Sequence, residues 1–150
     1  MNVNEFWENF LKETNRGRDT SYIDCFHFEL TEKWANELLR LVLIGQKQAT
    51  SSSLLAYQIE GDRIPEPGDL SIVTDWDGVP RCVIETTNVT ILPFKDITYD
   101  ICRREGEDDS LESWRKGHNG FFTSEGKELG YTFTEDMPVI FEDFRVIYKR

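Results

Sequence analysis

A chain of 150 residues, 39 % apolar and 13 % aromatic, is long enough for one domain with a sizeable core and too rich in aromatics for a disordered acidic segment. Its net charge of −11 repels nucleic-acid phosphate, which excludes extended duplex binding unless folding gathers basic residues locally. No run approaches the roughly 18 apolar residues of a membrane span, and the first residues show neither a basic nor an apolar leader pattern, so a cytoplasmic protein is expected.

Cys25, Cys82 and Cys102 are odd in number, widely spaced and without a CxxC pair. They are read as reduced thiols buried as small hydrophobes, not as a disulfide or zinc framework.

In chain order, Val3, Phe6, Trp7, Phe10 and Leu11 recur at helical spacing behind Asn2 and Glu5, a capping-box pattern that predicts a helix over 3–14 whose aromatic stripe is core or lid. A turn with Arg16 and Arg18 follows, then a short extended piece over Tyr22–Glu29. Thr31 caps a second predicted helix with Trp34, Ala35, Leu38, Leu39 and Val42 on its apolar face, ended by Gly45. The hydroxyl-rich stretch Ala49–Leu55 is extended, and Ile59–Asp69, with its Gly and Pro residues, reads as a long polar turn.

Residues 70–74 and 81–91 are β-branched runs joined by a hairpin on Asp77-Gly78. Thr98 heads a helix to about Arg104, Glu105–Asp109 forms an acidic loop, and Ser110 opens a helix expected to reach Phe122, with a break at Gly126–Gly130. Val139–Tyr148 is the closing strand, with Pro138 at its head. The expectation is one α+β domain built on a mixed sheet or small barrel, without repeats or an interdomain linker.

Three groups of residues have the chemistry of a site. Lys47 lies among hydroxyls at the corner between helix and strand, where an ammonium can serve a developing oxyanion or, with a lowered pKa, activate Thr50. In an extended 47–53 segment Lys47, Ala49 and Ser51 share one face and Thr50 and Ser52 the other, so Lys47 and Thr50 meet only at a bent corner. The carboxylates of Glu105–Asp109 could cap the next helix, act as general acid or base, or bind a metal, although the spacing of an EF-hand is absent. Trp114, Arg115 and His118 follow at helical spacing, and Trp76 on the hairpin either stacks on a flat ligand or covers the core as a rim aromatic. With His27 and His118 the only histidines and no HxE or HExxH pattern, the sequence speaks against zinc hydrolysis; neither a metal nor a cofactor is expected.

Taken together, Gly45-x-Lys47-x-x-Thr50-x-Ser52, Pro67-Gly68-Asp69, Glu105-Gly106-Glu107 with Ser110-Leu111 and Trp114-Arg115-x-x-His118, and Glu142-x-Phe144 resemble the ASCH domain family over about residues 25–148, leaving 1–24 as an N-terminal helical extension. The resemblance implies a PUA-like fold, a small β-barrel of about five to six strands with surrounding helices and a cleft floored by the lysine motif. It also implies an amidohydrolase, because active members cleave the amide of acetylated cytidine nucleosides with a lysine, a threonine and a glutamate. These match Lys47, Thr50 and Glu107, with Glu105 as the alternative under a two-residue shift. Glu105, Ser52, Trp76, Trp114, Arg115 and His118 are the expected substrate-binding residues.

Two departures stand out: Asp108 where the family often has glycine, and Gln48 where the shorter acetylcytidine hydrolases have a hydroxyl residue. Other members act on RNA, so a binding module for RNA or modified nucleotides is the rival; it needs Arg16, Arg18, Lys47, Arg103, Arg104, Arg115 and Lys116 gathered into one groove. An aromatic protein-interaction surface is a third possibility. No membrane partner is expected, and the sequence does not specify an oligomeric state.

Overall fold

The computed structural model describes residues 1–150. Asn2 accepts from the Glu5 N–H at 2.8 Å while the Glu5 carboxylate reaches back to the Asn2 N–H at 3.3 Å, so the capping box starts α1, Val3–Glu13. After the short strand β1, Asp24–Phe26, the Thr31 side chain caps α2, Glu32–Leu43.

Strand β2, Ala49–Ser53, runs straight into α3, Leu54–Glu60, which Ser53 caps and Gly61 ends in the left-handed region at φ 71°. This short helix was not legible as such: the expected long turn begins only after Glu60. Strands β3, Leu70–Thr74, and β4, Pro80–Pro93, form the expected hairpin. A 3₁₀ turn at Phe94–Asp96, α4 at Tyr99–Cys102 and a second 3₁₀ turn at Arg103–Glu105 lead to α5, Leu111–Leu129, and β5, Pro138–Lys149.

Helix α5 runs past both the expected stop at Phe122 and Gly126. Gly126 is retained in mid-helix because a Cβ there would run into the Tyr131 carbonyl, so the return of the chain against the helix needs the missing side chain. Gly130 then ends the helix.

The strands form one sheet in the order β1-β3-β4-β5-β2, with β1 parallel to β3 and the remaining pairs antiparallel. Register shifts between Val83 and Ile84 and between Thr86 and Asn88 add local twist to the long β4–β5 ribbon. The sheet curls so far that residues of its two edge strands, Asp24 and Phe26 of β1 and Thr50 and Ser52 of β2, line one cavity. The result is a five-stranded half-barrel.

Helix α1 buries Phe6, Phe10 and Leu11 against Leu70, Ile72 and Val83 on one side of the sheet. Helix α2 buries Leu38, Leu39 and Val42 against Val73, Ile84 and Phe144 on the other. With both faces covered, all five residues of β3 are buried, Ser71 and Thr74 included. A third cluster joins Phe94, Trp114 and Phe122 to Met137 and Val139.

Two expectations about single residues are corrected. Trp34 is not on the buried stripe of α2 but 49 % exposed, with the Lys33 ammonium 5.4 Å from its ring centre. Cys25 is exposed because it lies on the edge strand β1, whereas Cys82 and Cys102 are buried. No helix is long and apolar enough to cross a membrane.

Candidate functional site

The Gly45–Ala49 corner and the 103–107 segment are stitched together by their backbones. Gln48 N–H donates to the Arg104 carbonyl at 2.9 Å, and the Gln46 side chain donates to the Gly106 carbonyl at 2.7 Å. Gly106 has φ 70°, and a Cβ on it would collide with the Gln46 carbonyl. Glycine is therefore required at this crossing. The crossing brings Lys47 to carboxylates that lie 58 and 60 residues further along the chain.

Lys47 is 2 % exposed. Its Nζ donates to Glu107 Oε2 at 2.5 Å, to Glu105 Oε1 at 3.4 Å and to the Ala49 carbonyl at 2.8 Å, and it lies 5.3 Å from the Phe28 ring centre. Burial pulls its pKa down, but Glu107 and Glu105 outweigh burial and hold it above the ordinary lysine value. Lys47 is thus a fixed ammonium. A free-amine base would require the opposite shift.

Glu105 is 1 % exposed and accepts at both oxygens. Oε1 faces Lys47 and His118 Nε2, the latter at 3.3 Å, while Oε2 takes Trp114 Nε1 at 2.5 Å and Ser51 Oγ at 3.1 Å. Burial alone would raise its pKa, yet His118, Lys47 and these hydrogen bonds hold it well below the carboxylate range. A carboxylate with so many donors has no capacity left for a ligand.

Glu107 differs. Its side chain is 17 % exposed and its one hydrogen-bonding partner is Lys47. Burial first, and Glu105 beside it, push its pKa up against the pull of Lys47. Of the two glutamates that the sequence left as alternatives, Glu107 is the one with an oxygen open to the cleft.

His118 Nδ1 lies 2.9 Å from the Trp114 carbonyl, so that nitrogen carries a proton, and Nε2 must carry one to face the Glu105 carboxylate. Burial lowers its pKa, but Glu105 leads the groups that raise it above the ordinary histidine value. Stabilisation by this ion pair is complete below the ordinary histidine range and is lost as pH rises through the raised value. His118→Gln is therefore expected to narrow the pH dependence: thermal unfolding should show a wider gap from wild type at about pH 6 than at about pH 9.

A cavity of about 80 Å³ is lined by Lys47, Thr50, Ser51, Glu105, Glu107 and His118, together with Phe28 and Glu29. Ligand atoms of Glu105, Glu107 and His118 all lie within 4.8 Å of one another, a donor set sized for a metal ion. The Lys47 ammonium already occupies the focus of that set, and a cation there would meet its charge. The donor set is therefore already paired with a cation of the protein's own and does not fit a metal centre.

A larger open groove of about 820 Å³ between the end of α2 and β5 has no carboxylate in its lining and so lacks an acid–base pair.

The expected site residues divide accordingly. Lys47, Glu105, Glu107 and His118 come together, and Thr50 borders the same cavity from the face of β2 that it shares with Ser52. Trp114 is fully buried and supports Glu105 and His118, stacking on the latter at 4.2 Å, so it cannot touch a substrate. Ser52 is turned to the opposite face of β2 and lines a second cavity. Arg115 points away and donates to the Lys95 carbonyl at 3.1 Å, because one step along α5 moves it off the Trp114–His118 face.

Trp76 packs tilted against His27 with ring centres 4.8 Å apart and lines neither cavity; its backbone N–H donates to Asn36 of α2 at 3.1 Å, which ties the hairpin to that helix. Ser51, Phe28 and Glu29 were missed. For Ser51 the strand alternation already placed it with Lys47; for the other two, on an irregular segment, there was no periodic signal.

The fold is an α+β half-barrel with a buried lysine–carboxylate site at the helix-to-strand corner. A family model of the ASCH domain matches residues 24–148, and the chain belongs to that family. It is similar to the crystal structure of an ASCH domain from Lactobacillus crispatus JV V101, with 35 % identity, a TM-score of 0.86, and coverage of 97 % of this chain and 93 % of that one. It is also similar to a protein from Enterococcus faecalis V583, with 32 % identity, a TM-score of 0.89, and coverage of 97 % and 87 %. No curated protein matches the chain.

Proposed function

We propose that the chain hydrolyses the amide of a small acylated nucleoside-like amine, of the N4-acetylcytidine class, in the Lys47 cavity. The observation that carries this reading is the burial of Lys47 between Glu105 and Glu107 in a cavity that Thr50 also lines. A preorganised, desolvated ammonium is suited to the negative charge that develops on an acyl oxygen. A carboxylate with a raised pKa and a free oxygen is suited to carrying a proton.

In this scheme Thr50 Oγ attacks the acyl carbon and passes its proton to Glu107, while the charge of Lys47, whose three N–H donors are held by Glu105, Glu107 and the Ala49 carbonyl, offsets that of the oxyanion. Collapse breaks the C–N bond, and Glu107 returns the proton to the leaving amine. Water then cleaves the threonine ester by the same proton route, releasing the carboxylic acid.

The rival RNA-binding reading needs one basic groove, and the basic residues that would form it are largely committed elsewhere. Lys47 is buried, Arg104 is paired with Asp143 at 2.8 Å, Arg115 is bonded to the Lys95 carbonyl, and Arg16 lies over the Phe10 ring.

The test is release of the free amine from N4-acetylcytidine and N4-acetylcytosine, followed chromatographically. Wild type is expected to turn over, and Thr50→Ala to lose about 10³-fold in kcat with an unchanged melting temperature. Equal turnover by the two proteins, or none by wild type, would overturn the reading.

A further inference from the structure

The Lys47 cavity, at about 80 Å³, has room for a short acyl group and little more, since one water takes up about 30 Å³. The amine attached to that acyl group must extend into other space. A second cavity of about 210 Å³ lies between the edge strands of the half-barrel and shares Phe28, Glu29 and Thr50 with the first. An acyl carbon at Thr50 therefore leaves the amine on the side of this second chamber.

The walls of the chamber define what it would accept. Phe26, Tyr57 and Ile84 supply apolar and flat surfaces, and Asp24, Glu29 and Glu142 supply carboxylates. Glu142, paired across the sheet with Thr50, is 9 % exposed. One of its oxygens accepts from Thr86 Oγ1 at 2.6 Å. The other has no protein partner and, since no fully buried polar side-chain atom is left unpaired, opens onto the chamber.

Glu29 has φ 61°, a conformation costing a non-glycine residue about 1 kcal/mol, and its carboxylate makes no hydrogen bond within the protein. No lysine or arginine lines the chamber. Arg63, on the adjoining surface, is taken up by Asp69 through two contacts of 3.0 Å. A phosphate would meet three carboxylates and, of basic side chains, only His27, whereas the exocyclic N–H group of a flat ring would find acceptors and flat walls.

We propose that this second chamber holds the amine half of the substrate and selects a flat, unphosphorylated amine with N–H donors, recognised by Glu142 inside and by Glu29 at the junction with the Lys47 cavity. The assignment rests on the amide-hydrolase reading above, but it is tested by binding, which requires no catalysis. Titration calorimetry on the intact protein compares cytidine, uridine and cytidine 5′-monophosphate.

Cytidine is expected to bind, with uridine, which has a carbonyl in place of the amino group, about tenfold or more weaker, and the 5′-phosphate weaker than cytidine. Glu142→Gln keeps an acceptor for Thr86 and turns an amide donor into the chamber, so it should lower cytidine affinity and move preference toward uridine. Glu29→Gly removes the carboxylate at a backbone conformation glycine adopts freely; it should fold at least as well as wild type and bind cytidine more weakly.

In turnover, both variants should raise KM more than they lower kcat. Equal affinity for cytidine and uridine, tighter binding of the phosphate, or unchanged cytidine binding in both variants would overturn the assignment. Donor-selective binding without hydrolysis would support the chamber's selectivity and overturn the catalytic reading instead.

Discussion

Lys47→Met is expected to lower turnover of an acylated amine by about 10²–10³-fold, because it removes the buried ammonium beside the open carboxylate of the cavity, whose charge offsets that of an oxyanion. The same change should destabilise the fold by about 3 kcal/mol near neutral pH, since it leaves Glu105 and Glu107 buried without their shared counter-ion. The two effects separate with pH. Without Lys47 the carboxylates take up protons more readily, so the stability deficit should shrink as pH falls toward 5 while activity does not return. Denaturant unfolding and kcat, measured across pH on the same preparations, check both halves. Turnover equal to wild type would remove Lys47 from the mechanism.

The second large effect concerns the difference between the two glutamates. Glu105→Gln should cost about 3–5 kcal/mol of stability, because an amide has one acceptor oxygen where Lys47, Ser51, Trp114 and His118 supply donors to both oxygens. Whichever way the amide is turned, its nitrogen faces donors. Glu107→Gln loses one ion pair at a partly exposed side chain and should cost about 1–2 kcal/mol, yet it should reduce turnover more sharply, because a glutamine carries no proton between nucleophile and leaving group. Urea unfolding, paired with kcat for the two variants, reads out the two roles. A larger stability loss in Glu107→Gln than in Glu105→Gln would reverse this assignment.

Helices α1 and α2, the β3–β4 hairpin and β5 were legible because caps, apolar period and turn glycines act within a few residues of one another. Helix α3 was not, since seven residues after a hydroxyl-rich strand offer too few turns to show a period. The length of α5 was misread because Gly126 breaks the local pattern, and its reason is a contact with Tyr131 that sequence neighbours do not announce. Trp34 shows the same limit from the other side. A large apolar residue four positions before the buried Leu38 is left 49 % exposed, which the helical period by itself does not announce.

For the site, the lysine corner, the acidic box and the Trp114–His118 face were each visible as residue types at informative spacings. Their convergence became an expectation only through resemblance to a family. What the chain's own chemistry determined was the local geometry: a glycine-ended helix turning into a hydroxyl-bearing strand, a glycine between two glutamates, and an indole and an imidazole one helical turn apart.

Only the tertiary structure decided which glutamate is saturated and which is open, that Lys47 is kept charged, that Arg115 and Trp76 stand outside, and that Glu29 and Glu142 frame a second chamber. These outcomes depend on burial and on charges 50 or more residues apart in the chain. Whether an ammonium deep in a protein is a base or a fixed cation is settled by the carboxylates that folding places around it.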